Sequence, residues 1–232
     1  MHEQLIDKAG KQLVVKSNDF IQKKRHNLSL SQQKILAYAI SKIHPGDVEF
    51  KKLTLSISEF CELCGQATPD YTFVKEVAMS LYQNCFWYDD LDKNKAVLCT
   101  WVDNDMEIDK GQGTITLRLS DKLKPHLLGL RSNFTQYQLV NVLSLKSKYS
   151  VRLYEILKSY QNLDDTAIFQ VDRLRALLMC EDIYTEFKAF NKNVILKSIE
   201  DINKNTDLQI FHYFHRTGKK ISAVCFTISL KH

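Results

Sequence analysis

Apolar residues recur along the chain at two periods, one helical and one of two residues, and the order in which the periods alternate is itself repeated. The first series opens at SLSQQKILAYAISKI. There Ser29 and Gln32 have capping-box spacing, and Leu36, Ala39, Ile40 and Ile43 form one stripe, which predicts a helix over 30–43. After a turn at His44-Pro45-Gly46, KKLTLSI alternates as a strand does and runs into Ser58, a candidate N-cap for the short helix EFCELC. Beyond Gly65 and the Thr68-Pro69 start signal, DYTFVKEVAMSLYQN places Phe73, Val74, Val77, Ala78 and Leu81 on one face of a further helix. Strands are predicted over 85–90, 96–103 and 114–120.

The second series begins near Ser147 with KYSVRLYEILKSY, whose Val151, Tyr154, Ile156, Leu157 and Tyr160 supply the apolar face of a helix. AIFQV at 167–171 reads as a strand, Asp172 as the cap of a short helix RLRALLM, and 185–204 as one long amphipathic helix. Two strands close the series, joined by Thr217-Gly218-Lys219-Lys220, where Gly218 supplies the positive φ of a tight hairpin. Both series run helix, strand, helix, helix, strand, strand. The expected class is therefore α+β, a tandem of two units that each resemble a winged helix, with residues 1–146 in the first and 147–232 in the second. Residues 121–145, interrupted by Pro125 and Gly129 but free of low complexity, read as a packed joint.

Composition narrows the function classes. With 44% hydrophobic and 25% charged residues in 232, disordered, collagenous and membrane classes are excluded. Seven glycines, none clustered before a helix, leave no phosphate-cradling loop, so no nucleotide cofactor is expected. No signal peptide or long apolar span is read, and six scattered cysteines point to reduced thiols in a cytoplasmic chain without membrane association. Cys61 and Cys64 have CxxC spacing but no second ligand pair, so no metal is expected.

Charge changes the picture further. Residues 187–232 hold eight Lys or Arg against three acids, whereas residues 1–186 hold 24 of each; the whole net charge of +5 lies in the last fifth. Such asymmetry implies a face for a polyanion. On the long helix, Phe190, Val194, Ser198 and Ile202 recur at four-residue intervals as a packing line with Phe187, Ile195 and Ile199 beside it. That leaves Asn191, Lys192, Asn193 and Lys197 as polar candidates, with Lys188 in the first turn near the favourable end of the helix dipole. Asn pairs with adenine and Lys reaches guanine or phosphate, so these types suit a helix that reads the major groove. Arg216, Lys219 and Lys220 crowd the hairpin tip as phosphate or minor-groove contacts. In the first series only Lys75 stands out as a secondary DNA contact, and Lys23, Lys24, Arg25 and His26 form a basic run between structured pieces.

The segment NFTQYQLVNVLSLKSKYSVRLYEILKSY at 133–160 resembles the signature region of the iteron-binding plasmid replication initiators, the Rep family, and the correspondence extends from about Leu13 to Leu230 through EDINKNTD. The resemblance implies two winged-helix domains that bind directly repeated double-stranded origin DNA, promote origin opening, recruit host initiator and helicase proteins, and exchange between monomer and homodimer. It implies that the first domain dimerises and makes the secondary DNA contacts. It also implies no enzyme: family proteins act by binding. Family members commonly carry arginines where this chain has Asn191, Lys192 and Asn193, and Lys lacks the planar fork of Arg. A transcriptional repressor without a replication role is the alternative. An origin-nicking enzyme is a further one, but His212 and His215 fall on opposite faces of a strand, and Tyr149, Tyr154 and Tyr160 read as helix packing rather than nucleophiles.

Overall fold

Both series form in the computed structural model, which describes residues 9–90, 95–161 and 165–231. The described residues divide into two compact units, one containing Leu28–Leu139 with the chain up to Ser17, the other Asn18–Asn27 with the chain from Val140.

In the first unit, β1 (Leu13–Ser17) pairs antiparallel with β7 (Phe134–Gln138), in register from Leu13 opposite Gln138 to Ser17 opposite Phe134. Helix α2 (Leu30–Ile40) starts at the expected capping box: Gln32 N donates to Ser29 Oγ at 3.3 Å and Ser29 N to Gln32 Oε1 at 2.7 Å. It stops at Ile40, three residues short of expectation, with Ser41 as its C-cap, and Gln32 to Ile40 are buried on every side, so the helix is central rather than one-faced. Strand β2 (Leu53–Ser56) leads into α3 (Ile57–Leu63), whose cap is Ser56 and not Ser58: Ser56 Oγ accepts from Glu59 N at 3.1 Å, three residues on, and Ser58 lies inside the first turn. Helix α4 (Tyr71–Gln83) is capped by Asp70, which accepts from the Thr72 and Phe73 amides at 2.8 and 3.1 Å. Val74, Val77, Ala78 and Leu81 are buried as expected.

Strands β3 (Phe86–Asp90) and β4 (Lys95–Cys99) make a hairpin of their own. The sheet that corresponds to a wing is instead β2-β6-β5, formed with β5 (Glu107–Asp109) and β6 (Thr114–Leu117). Thus the strand expected over 96–103 ends at Cys99, and Val102 makes only an isolated bridge to Leu119. The stretch read as a joint, 121–145, holds α5 (Lys124–Leu127), the sheet strand β7, and α6 (Leu139–Leu143).

The second unit is built around α7 (Lys148–Gln161), buried from Ser150 to Ser159. Ser147 Oγ accepts from Tyr149 N at 3.2 Å, the counterpart of Ser29 in the first unit. Strand β8 (Thr166–Gln170), helix α8 (Val171–Leu177), a helix over 187–205 called α9, and the hairpin β9 (Leu208–Thr217) and β10 (Lys220–Leu230) follow in the expected order. Asp172 does not cap α8; Gln170 is the N-cap position and Asp172 sits in the first turn. The sheet order is β8-β10-β9, with α7 and α8 packed on it.

The boundary expected at 146/147 does not describe the units, because helix α1 (Asn18–Lys23) lies in the second. It packs on α7, and Arg152 of α7 donates Nη2 to the carbonyls of Ile21 and Lys24, each at 2.6 Å. A contact across more than a hundred residues leaves no mark on local periodicity. No helix among the described residues is long and apolar enough to cross a membrane.

Candidate nucleic-acid interface

Helix α9 is one continuous rod of three pieces: α-helical Phe187–Phe190, a π turn over Asn191–Leu196, and α-helical Lys197–Asn205. The π turn follows from the apolar spacing. A strict four-residue repeat overruns an α-helix by about 40° at each step, and one wider turn returns Ser198 and Ile202 to the side occupied by Phe190 and Val194. All four are fully enclosed, with Ile195 and Ile199 beside them.

The C-terminal half of α9 is clamped by the EDINKNTD sequence. Asn203 exchanges two hydrogen bonds with the Ile210 backbone, at 2.9 and 2.6 Å, which ties the helix to β9. Asp201 accepts from Lys146 N and from Asn205 Nδ2. Asp207 receives Tyr154 Oη at 2.9 Å and Lys158 Nζ at 2.8 Å from α7, while its amide donates to Asn141 Oδ1. The signature segment and this tail therefore serve positioning: they hold the helix whose outer face is left free.

That outer face carries Lys188, Lys192 and Lys197, all exposed, with Glu200 and Lys204 further on. None of the three leading lysines has a partner among the described residues. Asn191 and Asn193 are half-buried: Asn193 Nδ2 is engaged by the Ala189 carbonyl at 3.1 Å, and Asn191 Oδ1 is enclosed without a hydrogen bond. Sequence reasoning missed Leu196, which is 42% exposed among these lysines. An apolar side chain there suits a thymine methyl.

Arg216, Lys219 and Lys220 lie exposed at the β9–β10 tip, the wing, where Gly218 has φ +61° in a two-residue loop. Lys75 is exposed on α4, but its neighbours Tyr71, Met79 and Tyr82 are exposed as well, so that face is largely apolar. The basic run at 23–26 is tied down internally: Lys23 pairs with Asp19 at 2.5 Å, and Arg25 pairs with Glu181 and donates to the Ala176 carbonyl. Arg175 was also missed. It is 8% exposed and stands where α8, the start of α9 and the wing meet around a cavity of about 340 Å³.

His212 and His215 point to opposite faces of β9; His212 stacks edge-on with Phe214 at 5.2 Å, and burial pushes its pKa down. No cluster of three or more His, Cys, Asp or Glu able to hold a metal occurs among the described residues. Burial and the adjacent Asp207 carboxylate hold the Tyr154 hydroxyl far above its ordinary pKa, the opposite of an activated nucleophile.

Residues 13–158 match the family described as "Initiator Replication protein, WH1", and residues 170–228 match "Initiator Rep protein, WH2". Over 132 residues the chain is 30% identical to the "PI protein" of Escherichia coli, covering 50% of this chain and 43% of that protein. Over 120 residues it is 29% identical to a "Replication initiation protein" of Escherichia coli, covering 50% and 37%. The matched region spans less than half the length of either relative. Among solved structures, the Pi initiator protein in complex with iteron DNA is similar in fold, with a TM-score of 0.76 at 20% identity over 96% of this chain and 98% of that one.

Proposed function

Since the chain belongs to the initiator replication protein family of two winged helices, we propose that it is a plasmid replication initiator that binds directly repeated origin DNA, iterons, by sequence. The observation that carries the reading is the free basic face of α9 beside a basic wing. Lys188, Lys192, Lys197, Arg216, Lys219 and Lys220 are exposed and make no ion pair with any described residue, whereas Lys23, Arg25, Lys51 and Arg118 are all paired. Unpaired cations collected on one helix and one hairpin tip are what counterion release from a duplex requires.

In this reading α9 enters the major groove. Lys192 and Lys197 reach guanine or phosphate, Leu196 meets a thymine methyl, and Asn191 and Asn193 contact bases from the helix flank. The wing residues hold phosphates. Lys75 makes a secondary contact from the first unit. The protein works in the cytoplasm by binding energy, distorting an adjacent A·T-rich segment so that host initiator and helicase proteins can load. The first unit also dimerises, and the homodimer exchanges with monomer. Supporting dimerisation, Trp87 and Leu98 face each other across β3–β4 with 66% and 47% of their surface exposed. One curated relative is named a replication initiation protein, and the fold relative is an initiator protein solved on iteron DNA.

The test is fluorescence anisotropy on duplexes tiled across the DNA flanking the gene, at two salt concentrations with random competitor. Preference for one directly repeated sequence by about 10³-fold or more is the expected result. Equal, steeply salt-dependent binding to every duplex would reduce α9 and the wing to a non-specific patch. Replication of an origin plasmid supplied with the protein in trans separates an initiator from a repressor.

A further inference from the structure

The cavity between α8, the start of α9 and the wing is lined by Arg175, Arg216, Lys219 and Lys220, with Thr185 and one acid, Asp172. Three of its cations are exposed hairpin residues, as any wing has. Arg175 is different. Its side chain is more than nine-tenths buried, its Nη1 donates to the Thr185 carbonyl at 2.6 Å, and its guanidinium lies 5.0 Å from the Phe190 ring. Its Nε is enclosed and has no hydrogen-bond partner. A charged donor enclosed without an acceptor is costly, and the open cavity beside it is lined by three further cations. The start of α9 adds to this: Glu186, its N-cap residue, makes no side-chain cap, so the amides of the first turn have no capping acceptor.

We propose that this cavity is a phosphate seat, in which Arg175 together with Arg216, Lys219 and Lys220 takes one phosphodiester of the DNA backbone and thereby sets the register of α9 in the groove. The inference rests on the DNA-binding reading above and goes beyond it by assigning a ligand class to a buried residue. The chemistry favours a phosphate over a carboxylate. Four cations against one carboxylate leave a large positive excess, and tetrahedrally arranged oxygens can meet a guanidinium edge, two ammonium groups and helix amides at once. Arg175 also joins the seat to the reader helix, because the same guanidinium stacks on Phe190 and holds Thr185 just before α9. A phosphate in the seat would therefore fix the helix start, not merely add attraction.

The experiment uses the full chain and a duplex it selects from random sequence. Each backbone phosphate of the duplex is replaced in turn by a neutral methylphosphonate, and binding is measured for the wild type, Arg175→Met and Arg216→Gln. One position is expected at which the neutral linkage weakens the wild type by about tenfold or more and leaves Arg175→Met unchanged. Arg216→Gln, which removes an exposed side chain and no packing, is expected to lose part of the sensitivity at the same position. Absence of any position coupled to both residues overturns the proposal. In a second arm, inorganic phosphate is titrated against the Arg175 Nε–Hε resonance of the full chain. A saturable shift, abolished in Arg216→Gln, is expected whether or not a selective duplex exists, so failure to select a duplex counts against the DNA-reading proposal alone. A shift with phosphate but no coupled position in a selected duplex would mean that the seat takes a free phosphate and would overturn its assignment to the backbone.

Discussion

Asp70 ends the loop before α4 and caps the helix with one carboxylate oxygen. That oxygen accepts from the Thr72 and Phe73 amides at 2.8 and 3.1 Å, which satisfies two donors of the first turn. Replacing Asp70 by Ala is expected to cost about 0.5–2 kcal/mol of stability, measured as a shift in urea midpoint at unchanged slope. Protons held by buried groups supply a second prediction. Tyr38 donates to Glu59 and Tyr154 to Asp207, and burial followed by these carboxylates holds both hydroxyls well above their ordinary pKa of 10.0. Burial also pushes the Cys64 thiol up to about 12 and Cys180 to about 11, from 9.0. The folded chain thus keeps protons that the unfolded chain releases. Their stabilising contribution is intact below about pH 9 and is lost as pH rises through the folded values. Denaturant midpoints measured from pH 7.5 to about pH 11 should fall over that window, and Cys180→Ala should flatten part of the fall; a midpoint independent of pH would contradict it.

At the scale of elements, α9 shows what can be read from a sequence and what cannot. Its extent, its buried line and its exposed lysines follow from spacing, because a helix face is a local property. The π turn does not follow by inspection, although the four-residue repeat of Phe190, Val194, Ser198 and Ile202 is the signal that contains it. Leu196 was hidden because an apolar residue inside an amphipathic pattern is counted toward the core. It is nearly half exposed. Leu196→Ala should leave thermal stability within about 0.5 kcal/mol and weaken binding to the selected duplex, with the loss cancelled when the contacted thymine is replaced by uracil. Lys192→Ala or Lys197→Ala should lower the salt slope by about 0.9 if the lost contact is one phosphate, and relax one base preference at unchanged slope if it is a guanine. In the first unit the β3–β4 hairpin was legible as two strands, but its separation from β2-β6-β5 was not, since nothing local distinguishes a wing from an inserted hairpin. On the proposed dimerisation through β3–β4, Trp87→Ser, at a 66% exposed position, should leave the fold intact and weaken self-association by about tenfold or more in sedimentation equilibrium.

At the scale of the molecule, the repeated order of helices and strands was visible because each winged helix is assembled from neighbours in sequence. The pairing of β1 with β7 and the placement of α1 in the second unit were not, because both join segments more than a hundred residues apart. The boundary at 146/147 therefore cuts through a folded unit. A fragment starting at residue 147 would keep α7 but lose Asn18–Asn27, and with them the Ile21 and Lys24 carbonyls that hold the Arg152 guanidinium, on a side chain with only 5% of its surface exposed. It would also lose Gln22, whose side chain donates to Ser159 on α7 at 3.1 Å, and the buried Phe20 and Ile21. Uncovering the apolar surface that Phe20 and Ile21 bury costs about 1.5–3 kcal/mol for each side chain, a large part of what holds a domain of this size together. The fragment 140–232 is expected to lack a cooperative thermal transition, whereas the same fragment preceded by residues 18–27 through a flexible linker should regain one. If 140–232 alone melts cooperatively at the temperature of the full chain, α1 is an ornament of the second unit and not part of its core; if only the linked form does, the second unit is completed by a helix more than a hundred residues away in the sequence.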